Sequence, residues 1–114
     1  MEAVEIKNKW NWGYSVLLIQ DGCGSVAIDF ENGYEWGYIN CLVVHPSRQK
    51  QGIATQLMKR AEEVIKEEGY DEAQLLVEKE RTWVYEWYQR LGYKKIIDQD
   101  GFYKMRKILG NGKE

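Results

Sequence analysis

The hydrophobic pattern of this chain changes its period at His45-Pro46, and that change limits what the chain can fold into. Before it, apolar and polar residues alternate in stretches such as "SVAIDFE", which is typical of β-strands. After it, apolar residues recur every three or four positions in a long segment, which is typical of an amphipathic helix. A Pro that ends a strand just before a helix begins fits this switch. The pattern predicts one chain that mixes strands and helices.

The remaining segments extend this prediction along the sequence. Strands are expected at about Val4 to Lys7, in "YSVLLIQ" from Tyr14, in "SVAIDFE" and in "WGYINCLVV". After the first helix come a short strand "AQLLVE", a second helix around "WVYEWYQRL" and a final hairpin of "YKKIID" and "FYKMRKI". The predicted order is β-β-β-β-α-β-α-β-β, an α/β (α+β) fold. We expect a single domain over residues 1–109 and a loose tail at 110–114.

Composition and charge exclude several classes of protein. The net charge of -2 and the pI near 5.5 argue against a general nucleic-acid binder, which needs a cationic face. No apolar run approaches the ~20 residues of a membrane span, and the first residues lack the apolar core of a signal peptide. Two cysteines are too few for a disulfide framework, and Cys41, inside "INCLVV", is predicted to be a small buried thiol. We therefore expect a cytoplasmic protein.

The loop before the first helix has the composition of an anion site. Gly52 and Ala54 carry little or no side chain, so a bulky group could approach the backbone amides between Lys50 and Thr55. Arg48 and Lys50 add positive charge. The sequence has neither a Walker motif nor a dinucleotide fingerprint, and a pyrophosphate suits the geometry. On spacing alone, a solvated loop with Gly52 as a turn residue explains the segment equally well.

Two motifs in the right order resemble those of the GNAT superfamily of acyl-CoA-dependent N-acetyltransferases. The segment from Gln49 through Gly52 to Ala54 is similar to its Q/R-x-x-G-x-G/A signature, between a strand and a long helix. Tyr88 lies four residues before Gly92-Tyr93, as in the helix-to-strand signature of that family. The resemblance implies a compact fold with a mixed, mostly antiparallel sheet, splayed central strands and two main helices. The usual helix pair after the first strand is missing.

The resemblance also implies a cofactor site for acetyl-CoA, used as co-substrate, and no metal. The strands "INCLVV" and "AQLLVE" would splay apart and hold the pantetheine arm, and the N–H of Leu42 would stabilise the oxyanion of the thioester. The pyrophosphate would bind the amides at the start of the helix. The residues expected to bind the cofactor are Leu42, Val43, Val44, Gln49, Lys50, Gln51, Gly52, Ile53, Ala54 and Thr55.

For the chemistry, the resemblance assigns Tyr88 as the general acid that protonates the leaving thiolate. Periodicity alone would make Tyr88 one more aromatic on an apolar helix face. A phenol with a pKa near ~10 is a reasonable acid for a thiolate of pKa about 8.5 to 10. The resemblance therefore favours the catalytic interpretation.

The general base is less clear. Relatives often carry a Glu on one of the splayed strands, but the corresponding positions are Tyr38 and Leu76, so Glu78 is the first candidate. His45 titrates in a suitable range, but a capping or surface role is expected beside Pro46. Carboxylates that could act through a water are Asp29, Glu31 and Glu35.

A further departure from the family lies seven residues before Tyr88, where many relatives place an Asn and this chain has Arg81. One contact to pantetheine is therefore in question. The missing helix pair predicts an acceptor site that is open or is completed by a second subunit or by the five tryptophans of the chain. A homodimer is expected on this ground.

The resulting functional prediction is an N-acetyltransferase that moves an acetyl group from acetyl-CoA to a primary amine. The acceptor could be a protein lysine, an N-terminal amine or a polyamine. The alternative is a non-catalytic acyl-CoA-binding or protein-interaction module with the same fold. A nucleotide-binding regulator is weaker, since the sequence shows no nucleobase or magnesium site.

Overall fold

The computed structural model describes residues 3–110 of the chain. The order of elements is the predicted one, and the first strand runs further than expected, to Trp10. Of the predicted tail, only Gly110 is among the described residues. The elements are β1 (Val4–Trp10), β2 (Gly13–Gln20), β3 (Gly24–Glu31), β4 (Gly37–Val44), α1 (Ile53–Glu67), β5 (Glu72–Glu78), α2 (Thr82–Arg90), β6 (Lys94–Gln99) and β7 (Phe102–Ile108).

The strands form one seven-stranded sheet in the order β1-β2-β3-β4-β5-β7-β6. All neighbouring pairs are antiparallel except β4 and β5, which run parallel. The predicted mixed, mostly antiparallel sheet is therefore confirmed. Only Asn11 and Trp12 connect β1 to β2, so the helix pair that the family usually places there is absent, as predicted.

The two helices bury one face each against this sheet. α1 packs on β3, β4 and β5, and α2 packs on β5. The apolar spacing that predicts α1 also predicts which side of the helix is buried, and Met58 is buried on that side as well. In α2 only Val84 and Tyr88 are buried, while Trp83 is exposed, so the apolar face is narrower than the sequence indicates. The buried residues of α1 are Ile53, Leu57, Met58, Ala61, Val64 and Ile65.

Gly37 allows α1 to approach the sheet closely at the point where β4 begins. A Cβ atom built there would lie 2.5 Å from Ile65 Cγ1 and 3.1 Å from Ile28 Cγ2. Because a dense core cannot yield that much space, any larger residue would displace the helix. This contact fixes the position of α1 above the β4–β5 junction.

The prediction for Cys41 is wrong. Its side chain is exposed, and its backbone has a positive φ of 55°. An irregularity in β4 shifts the alternation of "INCLVV" by one residue, so Leu42 and Val44 are the more buried positions after Asn40, and Cys41 and Val43 are exposed. No helix among residues 3–110 is long and apolar enough to cross a membrane.

Candidate active site

The neighbouring strands β4 and β5 separate soon after they pair. Their parallel ladder consists of Gly37 with Ala73 and Tyr38 with Gln74. Beyond Tyr38, β4 has no partner strand on that side within residues 3–110. This splay is the one that the sequence predicts, and it leaves a slot between the two strands with backbone polar groups along its edge.

A β-bulge in β4 lies beside this slot. Between the pair Ala27–Asn40 and the pair Ser25–Val43, β4 contains one residue more than β3. Cys41, with its positive φ, lies within that interval. Bulges turn a strand locally and change the direction of the side chains that follow. Here the bulge places Leu42 and Val44 against a large cavity.

The larger cavity, of about 500 Å³, is bounded by the end of β4, the loop before α1 and one side of α2. It contains most of the residues predicted to bind the cofactor. Val43 and Gln51 do not line it, and the side chain of Val43 is exposed. The predicted residues that line it are Leu42, Val44, Gln49, Lys50, Gly52, Ile53, Ala54 and Thr55.

The start of α1 presents bare N–H groups to this cavity. Gly52 is the N-cap residue with a φ of 79°, and no side chain caps the helix. The first helical hydrogen bond runs from Gln56 N–H to the Gly52 carbonyl at 3.0 Å, and the N–H groups of Ile53, Ala54 and Thr55 have no backbone acceptor within residues 3–110. Unpaired N–H groups at a helix start attract anions.

The same place has room for a bulky group. A Cβ atom at Gly52 would meet no atom within 4 Å, so the backbone there borders open space. Lys50 and Arg48 line the cavity beside it. The residues present therefore fit the pyrophosphate of an acyl-CoA, in agreement with the loop composition.

Tyr88 lies at the boundary between the larger cavity and a second one. Its ring is buried and packs against Trp87 and, edge to face, against Tyr93 with centroids 5.8 Å apart. Its hydroxyl makes no hydrogen bond to any residue among 3–110. Burial raises the pKa of the phenol above its usual value, and the charge of Arg81 lowers it in part. The phenol is therefore protonated at neutral pH and free to donate.

The second cavity, of about 260 Å³, lies within the slot where β4 and β5 part. Glu78 is the only carboxylate of residues 3–110 that lines it, and this residue is exposed. Asp29 does not line it, but Asn40, which does, donates a hydrogen bond from Nδ2 to Asp29 Oδ2 at 2.6 Å. Burial raises the pKa of Asp29. The other lining residues are Tyr38, Ile39, Cys41, Leu76, Val77, Arg81, Val84, Tyr88 and Phe102.

The other predicted candidates lie elsewhere. Glu31 and Glu35 are exposed near the β3–β4 turn and line neither cavity. His45 has the expected capping role, because its Nδ1 accepts a hydrogen bond from Ser47 N–H at 3.2 Å at the start of a short 3-10 turn.

Sequence reasoning missed two features of the site. Trp83 and Trp87 line the larger cavity, so part of the unusual tryptophan content lies beside the cofactor site. Arg81, assigned only as a departure from the family, lines both cavities. Arg81 precedes Val84 by three residues and Tyr88 by seven. This spacing is typical of side chains that lie near one side of a helix, and it could have indicated that Arg81 borders the same cavities as Tyr88.

Comparisons with known proteins agree with this geometry. Residues 2–93 match the family model described as the acetyltransferase (GNAT) family. Among solved structures, the chain resembles the PaiA N-acetyltransferase of Thermoplasma acidophilum in complex with coenzyme A, at a TM-score of 0.71 and 19% identity over 82% of this chain. It spans 59% of that protein. No curated protein matches the chain.

Two further structures show the same fold. The IAA acetyltransferase of Bacillus cereus matches at a TM-score of 0.70 and 17% identity, over 86% of this chain and 79% of that one. The N-acetylglutamate synthase of Neisseria gonorrhoeae, complexed with coenzyme A and N-acetylglutamate, matches at 0.69 and 19% identity, over 84% of this chain and 26% of that one. At these identities the likeness concerns the fold.

Proposed function

The chain belongs to the acetyltransferase (GNAT) family, and on that premise we propose that it transfers an acetyl group from acetyl-CoA to a primary amine. One observation carries the proposal. Tyr88, a buried and protonated phenol, lines both the cavity that fits the cofactor and the smaller cavity in the slot. Acyl transfer from a thioester requires a proton donor for the leaving thiolate, located where the cofactor site meets the site of the amine.

The chain's own groups account for binding the donor. Acetyl-CoA, when bound, supplies an activated acyl thioester. The N–H groups of Ile53, Ala54 and Thr55 hold the pyrophosphate, with Lys50 and Arg48 nearby. The unpaired edge of β4 at Leu42 and Val44 offers backbone hydrogen bonds to the extended arm, and the Leu42 N–H stabilises the oxyanion.

The two protons of the reaction are handled by different residues. A primary amine has a pKa of about 10, so it must lose a proton before it attacks. Glu78, in the smaller cavity, accepts that proton directly or through water. Tyr88 gives its proton to the departing sulfur. Both residues line the smaller cavity, so the acid and the base are available at the same site.

The proposed acceptor is a cationic amine, and a protein amine is favoured over a small one. No helix pair covers the region between β1 and β2, so a large substrate can approach the slot. Glu78 and, through Asn40, Asp29 place negative charge where an ammonium group would arrive. A lysine side chain, a protein N-terminus and a polyamine all satisfy this chemistry.

A second candidate is a non-catalytic acyl-CoA-binding or protein-interaction module. One observation favours it: among residues 3–110, the only carboxylate that lines the smaller cavity is exposed Glu78. An exposed side chain is not held by its neighbours in the position that proton abstraction requires. The module would bind acyl-CoA through the same helix start without turnover.

Thiol release from acetyl-CoA separates the two candidates. We would assay the purified protein with a peptide bearing a free N-terminus, an N-blocked peptide bearing one lysine, and a polyamine, and measure acetyl-CoA binding by calorimetry on the same sample. Amine-dependent thiol release supports the transferase. Binding without release on any acceptor supports the module, and absence of both contradicts the proposed function.

We also propose that the chain forms a homodimer. Every residue of the edge strand β1 is exposed, and apolar side chains gather there: Val4, Ile6, Trp10 and the adjacent Trp12. Exposed apolar edges favour association. Sedimentation equilibrium that gives 13.5 kDa at high micromolar concentration would contradict the dimer.

A further inference from the structure

Three residues of the α2 region line both cavities of the site: Arg81, Val84 and Tyr88. Val84 and Tyr88 are four residues apart on one face of α2, and Arg81 is the N-cap residue just before that helix. This face is the wall between the cavity that fits the cofactor and the cavity in the slot. A thioester bound in the first cavity and attacked from the second would have its reacting atoms beside this wall.

The backbone of Arg81 is held firmly at the start of α2. Its N–H donates to the Glu78 carbonyl at 3.0 Å, and its own carbonyl accepts from Val84 N–H and Tyr85 N–H, both at 3.0 Å. The guanidinium lies over the Trp83 ring, 5.7 Å from its centroid. Such cation–π contacts help to orient an Arg side chain. The backbone end of the side chain is therefore fixed by the helix start, and its guanidinium, on an exposed residue, lies against the indole.

This charge is not neutralised by a carboxylate. Arg81 forms no ion pair within residues 3–110, whereas Arg60 on α1 pairs with Glu5, Glu63 and Glu67. An unpaired cation that borders both cavities raises the electrostatic potential where they meet. Such a preorganised charge stabilises any negative charge that develops there during a reaction.

We propose that Arg81 is a positioning residue that stabilises the negative charge formed at Tyr88 when it protonates the leaving sulfur. The inference rests on the proposed function and extends it to a residue that departs from the family pattern. In the step, the neutral amine nitrogen bonds to the carbonyl carbon, the carbon–sulfur bond breaks, and the nitrogen, cationic after the attack, releases one proton to water. The sulfur keeps the electron pair and takes the Tyr88 proton, which leaves a phenolate beside the guanidinium. Solvent then returns a proton to the phenolate.

The charge of Arg81 acts on Tyr88 in the required direction. It lowers the pKa of the phenol against the opposing effect of burial. A buried phenol without a nearby cation would be a poor acid, because its phenolate would lack solvation. Val84, the third residue that lines both cavities, is apolar and cannot replace the charge.

A different role is conceivable for the same side chain, namely binding a phosphate of the cofactor. The two roles predict different kinetics. Loss of a phosphate contact weakens acetyl-CoA binding and leaves turnover at saturation intact, whereas loss of charge stabilisation lowers kcat and leaves binding intact.

The experiment compares Arg81→Gln, Arg81→Lys and the matched control Arg106→Gln, whose residue is exposed on β7 and lines neither cavity. Thiol release at saturating acetyl-CoA gives kcat and its pH profile, and calorimetry gives Kd. For Arg81→Gln we expect kcat to fall about tenfold, which is the effect of a partly screened charge. Its Kd should be unchanged, and the alkaline limb of its profile should move to higher pH because the Tyr88 pKa rises. Arg81→Lys should keep most of the wild-type kcat, and Arg106→Gln should match wild type.

Two results would overturn the inference alone. One is an Arg81→Gln enzyme with wild-type kcat and weakened acetyl-CoA binding, which would assign Arg81 to a phosphate contact. The other is an Arg81→Lys enzyme as slow as Arg81→Gln, because a charge effect should survive that exchange. A wild-type protein that turns over no amine would instead overturn the proposed function, and this inference with it.

Discussion

The hydroxyl of Tyr93 donates a hydrogen bond to Glu62 Oε2 at 2.8 Å, and this contact ties the chain just after α2 to the middle of α1. Lys107 on β7 donates to the other oxygen of Glu62 at 2.9 Å. The Tyr93 ring is fully buried and meets Tyr88 edge to face. We call these two hydrogen bonds to Glu62 the brace, because they join α1 to the chain after α2 and to β7. The position of Tyr88, the proposed acid, depends on this brace through its contact with Tyr93.

Tyr93→Phe removes the hydroxyl from this brace and keeps the ring. We expect the free energy of unfolding to fall by about 1–3 kcal/mol, since a part-buried hydrogen bond to a charged group is lost. Urea denaturation measures the change. Tyr34→Phe is the matched control, because the Tyr34 ring stacks on Trp36 and is exposed. Equal stability of the two variants would show that the brace contributes nothing.

Gly52→Ala tests the helix start as the pyrophosphate site. Its φ of 79° favours glycine, so alanine should cost about 1 kcal/mol of stability. Gly33, with a φ of 89° and equally open surroundings, lies in the β3–β4 turn, and Gly33→Ala should cost a similar amount. In calorimetry only Gly52→Ala should bind acetyl-CoA more weakly, since only there does the new Cβ face the cofactor. Equal affinity for acetyl-CoA in both variants would show that the pyrophosphate does not bind at the start of α1.

The stability of the fold should depend on pH through Glu68. Tyr14 Oη donates to Glu68 Oε1 at 2.7 Å and Lys7 Nζ donates to it at 3.0 Å, and these contacts lower the pKa of Glu68. A lowered pKa in the folded state stabilises the protein above the unfolded-state pKa of about 4.3, and this contribution is lost as pH falls through the folded-state value. Tyr14→Phe should therefore lower the melting temperature at pH 7.

The same difference should narrow as the pH falls below the unfolded-state pKa and through the lowered folded-state pKa of Glu68, because the carboxyl group is then protonated in both proteins. Thermal unfolding of wild type and Tyr14→Phe at a series of pH values measures it. A gap in melting temperature that stays constant from pH 7 to pH 3 would mean that Tyr14 stabilises the fold through packing on Phe30 instead.

The local pattern of hydrophobic residues in the sequence predicts much of the fold. The two periods of the hydrophobic residues predict the order of the strands and of the two α-helices, although the first strand extends three residues further than expected. The bulge at Cys41 was not predictable, because it arises from pairing with β3 and leaves no local signal in an apolar run. The exposure of Trp83 has a similar cause, since α2 buries only the narrow face that touches β5.

The geometry of the candidate site follows from the sequence where it depends on the backbone, but not where it depends on how the elements pack together. The bare N–H groups after Gly52 can be expected because a helix start exposes them whatever the tertiary context. Arg81 borders both cavities only because β5 lines the smaller one beside α2, while the end of β4 and the start of α1 complete the larger one. The partnership of Asp29 with Asn40 likewise follows from strand register, which the sequence of either strand alone does not reveal.

The most direct test of the central claim is the turnover of Tyr88→Phe compared with that of Tyr85→Phe. Tyr85 lies on the same helix, packs on Tyr103 and lines neither cavity, so it controls for the loss of one hydroxyl. Thiol release at saturating acetyl-CoA gives kcat, and calorimetry gives Kd. The account predicts that kcat of Tyr88→Phe falls by a factor of about 10² to 10⁴ with Kd unchanged, while Tyr85→Phe behaves as wild type. A Tyr88→Phe enzyme with wild-type kcat would contradict the account, because the thiolate would then leave without a proton from Tyr88.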